Sequence, residues 1–178
     1  DLVAAARWLE GQDMAPGVLI GHSLGGAAVV VAAQHLPSVK AVATIGAPSD
    51  ASHVLHQFSA SLDRIEQEGE AEVLLAGRPF KIKKAFLDDV RDHSVTDAAR
   101  DLKRALLVLH SPVDAVVGID NAAGLFIAAR HPKSFVSLDQ ADHLLSRADD
   151  AYRVADVIAA WAEPYAKTHL PPFPKPDD

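Results

Sequence analysis

Three residues of this chain have the types and the order that acyl-transfer chemistry needs: a serine at position 23, an aspartate at 114 and a histidine at 143. The serine sits in Gly21-His22-Ser23-Leu24-Gly25-Gly26, directly behind the apolar run Val18-Leu19-Ile20. A G-x-S-x-G pattern between a strand and a helix is a nucleophile elbow, a sharp turn that exposes the hydroxyl at its tip. Small residues are needed there because the elbow strains the serine backbone and brings strand and helix close together. Gly21 and Gly25 are the expected points of close passage. A serine hydroxyl is a poor nucleophile near neutral pH, so the chemistry requires a base and an orienting acid further along.

Both follow in the order expected for such an elbow, acid before histidine. Ala105-Leu106-Leu107-Val108-Leu109-His110 is an apolar run of strand length, and Ser111-Pro112-Val113-Asp114 places Asp114 in the loop beyond it. Ser134-Phe135-Val136-Ser137-Leu138 reads as another strand, and Asp139-Gln140-Ala141-Asp142-His143 as the loop after it. Open α/β sheets gather their sites outside the carboxyl ends of parallel strands. In this reading Ser23 attacks an acyl carbonyl, and His143 takes its proton and returns it to the leaving group. Asp114 fixes the imidazole tautomer. The N–H of Leu24, the residue after the nucleophile, supplies an oxyanion-hole donor.

Other readings of these residues stand beside this one. Asp114 is also a suitable turn residue after Pro112, and His143 is one of nine histidines. Asp50, beyond the apolar run at 39–45, is a rival acid, and Asp142 a weaker one because sequence neighbours seldom face each other. His22 is expected to pack beside the nucleophile and shape the substrate pocket. His53 and His56 share a helical face and are assigned to the same pocket. They lack the further ligands that a zinc site needs, so no metal is expected.

The phrases GHSLGGAAVV (21–30), ATIGAPSDASHVLHQF (43–58), LLVLHSPVDAVVGIDNA (106–122) and ARHPKSFVSLDQADHLL (129–145) resemble those of the α/β-hydrolase superfamily. Within it, the chain is most similar to the hydrolase-like domains fused N-terminal to an OsmC-type domain in bacteria. The resemblance implies a serine hydrolase without metal or organic cofactor, built as a three-layer α/β sandwich with a mainly parallel sheet. It also implies an N-terminally truncated sequence. The family's first strands, and the loop giving its second oxyanion N–H, have no counterpart here. Loss of one such donor costs on the order of 10²–10³ in turnover, and the sheet is expected to have a bare edge.

The elements that must position these residues follow from periodicity. Leu2, Ala5, Ala6 and Leu9 give a first helix one apolar face, and Gly11 suits its stop. Strands are expected near 17–21, 39–45, 105–110 and 133–138. The segment after the elbow, LGGAAVVVAAQH, is almost wholly apolar and so reads as a buried helix. The hydrolase core is placed at 1–168, with a polar, cap-like insertion at about 51–102. In it a helix over 52–65 precedes a hairpin (71–75 with 78–82) around Ala76-Gly77 and short helices at 86–90 and 96–102. Caps at this position exclude water and shape the pocket. Trp8 and Trp161 are expected as core anchors, and the last helix as mostly buried. Residues 169–178, rich in proline, read as a linker or tail.

Composition narrows the partners. The chain has 178 residues, a net charge of −7 and no cysteine. A sizeable core is affordable at this length. Phosphate recognition needs a basic face, so nucleic acid is not expected. Thiol chemistry is excluded from this segment. No apolar stretch reaches the ~18 residues of a membrane span. The expectation is a cytoplasmic protein acting on a small-molecule acyl substrate, with a fused OsmC-type domain or a second copy as macromolecular partner. Two other functions fit the same residues: a weak or silent hydrolase fold used for ligand binding or docking, and an acyltransferase using the same triad.

Overall fold

The computed structural model describes residues 1–50, 59–75 and 78–166. Six strands and seven helices are found among them: α1 (Leu2–Glu10), β1 (Val18–His22), α2 (Leu24–Ala33), β2 (Ala41–Ile45), α3 (Ser59–Glu68), β3 (Glu70–Leu75), β4 (Arg78–Lys83), α4 (Lys84–Asp92), α5 (Val95–Arg100), β5 (Ala105–His110), α6 (Asp120–Ala128), β6 (Lys133–Ser137) and α7 (Ala148–Ala166). Four strands form a parallel sheet in the order β1-β2-β5-β6. Its two middle strands, AVATI and ALLVLH, are buried at every position. Continuous apolar runs of this kind belong to parallel strands covered on both faces.

Alternation along the strands divides the core in two. Val42, Leu106 and Val108 face one layer of helices, where they pack with Val29 and Val30 of α2 and Leu125 of α6. Ala43, Ile45, Leu107 and Leu109 face the other side, covered by Val154 and Ile158 of α7. The result is the expected three-layer α/β sandwich. α2 is buried on most of its circumference, as an all-apolar helix must be.

Three sequence expectations are revised, and Trp161 packs against the core as expected. α1 buries Ala6 and leaves Leu2 and Ala5 exposed, so its apolar face is narrower than the pattern suggests. Trp8 is 65% exposed and anchors nothing in the core. α7 is amphipathic, burying the stripe Val154, Ile158 and Ala162 while Tyr152 stays exposed. Trp161 is half-buried and donates from Nε1 to Ser134 Oγ at 3.3 Å, tying α7 to β6.

The insertion contains the expected antiparallel hairpin, β3 with β4. Ile65, Ala71, Val73, Leu87 and Val90 join the same core as α2, so the insertion packs along the helical layer. His53, His56, the first part of the helix expected over 52–65, the Ala76-Gly77 turn and the proline-rich stretch at 169–178 lie outside the described residues. No helix among the described residues is long and apolar enough to cross a membrane.

Candidate active site

Ser23 stands between β1 and α2 with φ 54° and ψ −128°, a region that L-residues rarely occupy and that costs on the order of 1–3 kcal/mol. Three backbone contacts hold it there. Its N–H donates to the Ile45 carbonyl at 2.8 Å, and its own carbonyl accepts from the N–H of Gly26 at 2.9 Å and, more weakly, of Ala27 at 3.4 Å. The elbow is therefore locked onto the end of β2 and into the first turn of α2.

The glycines of the motif divide differently from the expectation. A Cβ on Gly21 would lie 2.2 Å from the Gly25 carbonyl oxygen, and one on Gly26 would lie 2.5 Å from Ala47 Cβ. A Cβ on Gly25 would meet nothing within 4 Å. Strand and helix thus pass at Gly21, helix and β2 loop at Gly26, and Gly25 contributes backbone alone.

Ser23, Asp114 and His143 come together. His143 Nδ1 lies 2.8 Å from Asp114 Oδ2, and its Nε2 lies 3.0 Å from Ser23 Oγ. Because a carboxylate only accepts, Nδ1 carries the proton and Nε2 presents its lone pair to the serine hydroxyl. The Asp114 side chain is 2% exposed and that of His143 is 8% exposed. Burial alone pushes the Asp114 carboxyl up. Hydrogen bonds from His143 and from the N–H groups of Val117 and Val116 outweigh it and hold the acid below its ordinary value. The two N–H bonds, at 2.9 and 2.8 Å, both reach Oδ1, so each carboxylate oxygen has a donor. The rival acids are placed elsewhere: Asp50 is exposed, and Asp142 accepts from the Ser146 N–H at 2.8 Å.

Leu24 is the first residue of α2, so its N–H has no carbonyl one turn earlier to bond. It stands at the positive end of the helix beside Ser23. His22 is not simply a pocket wall. Its Nε2 lies 2.6 Å from the His143 carbonyl oxygen, and the two rings are 4.9 Å apart. No group of three or more His, Asp or Glu side chains suited to a metal occurs among the described residues.

Two supports stand behind the Asp114–His143 pair, and sequence reasoning missed the first. Gly46, at the end of β2 with φ +55°, has Asp114 Oδ2 3.2 Å and His143 Nδ1 3.3 Å from where a Cβ would stand. Its bare backbone makes room for the acid–imidazole pair, and the available signal was a glycine directly behind an apolar strand. His110, fully buried, has Nε2 2.8 Å from the Val117 carbonyl, and Val117 in turn donates to Asp114. A groove of about 560 Å³ runs beside the elbow, with Leu24 and Gly25 at one part of its wall and Phe86 and Val90 of the insertion at another.

No protein-family model matches the chain, and no curated protein matches it. Solved structures do. The chain is 56% identical to the esterase domain of a Rhodothermus marinus protein, over 93% of this chain and 68% of that one, with a TM-score of 0.81. It therefore spans about two thirds of that relative's length. Est1E from Butyrivibrio proteoclasticus (17% identity, TM-score 0.66) is similar over 93% of this chain and 68% of its own. The mouse alpha/beta hydrolase domain-containing protein 10 (20% identity, TM-score 0.64) is similar over 89% and 67%. At these identities the last two speak for the fold alone.

Proposed function

The chain belongs to the α/β-hydrolase family, and from that premise we propose that it is a serine hydrolase, cleaving a small acyl ester, thioester or amide through an acyl-enzyme on Ser23. The observation that carries the reading is the unbroken hydrogen-bond relay from Asp114 through His143 to Ser23, at 2.8 and 3.0 Å. Ser23 Oγ attacks the acyl carbonyl carbon while His143 Nε2 takes its proton. As the bond to the leaving group breaks, that proton passes to the departing atom. The Leu24 N–H faces the oxygen that gains negative charge. Water then repeats the sequence, releasing the acid and restoring the serine.

The groove that begins at Leu24 and Gly25 runs along α2 to His35 and mixes apolar residues with Asp89 and His93, and it is a space into which part of a substrate could extend from Ser23.

Intact-mass labelling with a fluorophosphonate tests the reading. One adduct is expected on the folded parent and none on Ser23→Ala. A folded parent that takes no adduct overturns it.

A further inference from the structure

His22 precedes Ser23 at the end of β1, yet its side chain serves the base. A backbone carbonyl accepts and never donates, so the 2.6 Å contact is a hydrogen bond given by His22 Nε2–H to the His143 carbonyl. It joins the strand of the nucleophile to the backbone of the base, 121 residues later in the chain. The two imidazoles lie 4.9 Å apart and are tilted by 43°. The loop so held has reason to relax. Asp139 and Leu145 bracket His143 with φ 49° and 52°, a left-handed backbone that aspartate tolerates but that strains a residue such as Leu145.

The bonds of His143 differ in how long they last. Its bond to Ser23 requires the serine proton. Once Ser23 Oγ has become the ester oxygen of an acyl-enzyme, that proton is gone. The bond to Asp114 and the backbone bond from His22 do not depend on it.

We propose that His22 is a positioning residue that keeps His143 in register while the acyl-enzyme stands, so that His143 can activate water. The inference rests on the reading of Ser23 as the nucleophile. In deacylation the water oxygen bonds the acyl carbon, and its proton goes to His143 Nε2. The carbon–Oγ bond then breaks, and the proton returns to Oγ. Throughout this step Ser23 offers His143 no hydrogen bond until the end, so the His22 contact matters more here than in acylation.

The test compares the parent, His22→Ala and His22→Gln, whose amide N–H can replace the donor, with p-nitrophenyl acetate as the probe. Burst kinetics and intact mass follow the two half-reactions. In His22→Ala, deacylation is expected to slow about tenfold, the scale of one lost hydrogen bond on a barrier. Acylation should slow by less than about threefold, so acetyl-enzyme accumulates, and His22→Gln should recover much of the loss. Equal slowing of both steps, or none, overturns the proposal. Amide hydrogen exchange across 139–145 gives a readout independent of turnover. About tenfold faster exchange in His22→Ala is expected, and unchanged exchange overturns the positioning role. A folded parent that forms no acetyl-enzyme overturns the nucleophile reading and the deacylation role with it, while the exchange result still decides whether His22 holds the loop.

Discussion

Gly21 passes beneath Gly25 so closely that a Cβ on Gly21 would stand 2.2 Å from the Gly25 carbonyl oxygen, whereas a Cβ on Gly25 would meet nothing within 4 Å. The two glycines of one motif therefore answer to different demands. Gly21→Ala forces β1 and α2 apart and is expected to cost about 3 kcal/mol or more, at the upper end of overpacking. Gly25→Ala, exposed and in a helix, is expected to be neutral or slightly stabilising, since alanine is the better helix former by about 1 kcal/mol. Denaturant unfolding of the two variants checks the contrast, and equal losses would refute it.

The backbone of Ser23 makes a second prediction. At φ 54° and ψ −128°, glycine is at ease and any residue with a Cβ is strained. Ser23→Gly and Ser23→Ala both delete the hydroxyl, so on the proposed role of Ser23 neither is expected to turn over substrate. The glycine variant is expected to be the more stable of the two by about 1 kcal/mol, even though glycine gains freedom in the unfolded chain. Equal unfolding midpoints would mean that the elbow stores no strain.

Asp114 links stability to pH. Its folded pKa is lowered, so it binds a proton less readily folded than unfolded. The stabilisation this brings is fully present above the unfolded carboxylate value of about 3.9 and is lost as pH falls through the lower, folded value. Asp114→Asn removes that dependence. Melting temperatures measured from pH 7 down to pH 3 are expected to fall less steeply at the acid end for the variant than for the parent. Asp139, Asp142 and the other exposed carboxylates with lowered values are common to both proteins and cancel in the comparison. Activity is expected to drop about 10⁴-fold, since asparagine favours the wrong imidazole tautomer. Parallel melting curves would dismiss the linkage.

The two middle strands were legible because β2 and β5 are apolar at nearly every position. Ser23, Asp114 and His143, each read in a turn or loop after a strand, stand within hydrogen-bond reach of one another, although β6, before His143, is only half-buried. The β3–β4 hairpin was legible from the two short strand-like runs on either side of Ala76-Gly77 in the sequence. What could not be read depended on contacts between distant elements. Gly26 matters because Ala47, beyond β2, lands against it. Gly46 matters because Asp114 and His143 stand above it. Trp8 in a helical pattern looks like core, yet its burial is decided by which face of α1 meets α2. The partner of His22 is a backbone carbonyl, which carries no signature of residue type.

The relay is assembled from the ends of three strands, β1, β5 and β6, and its two hydrogen bonds span 120 and 29 residues of chain. A slip of one residue in any of those strands would turn its side chains to the opposite face, and contacts of long sequence separation close late in folding. With Ser23 as the proposed nucleophile, its reactivity is expected to report native strand register. During refolding, helical signal is expected to return while the serine is still inert, and recovery of covalent labelling to mark the alignment of β1, β5 and β6.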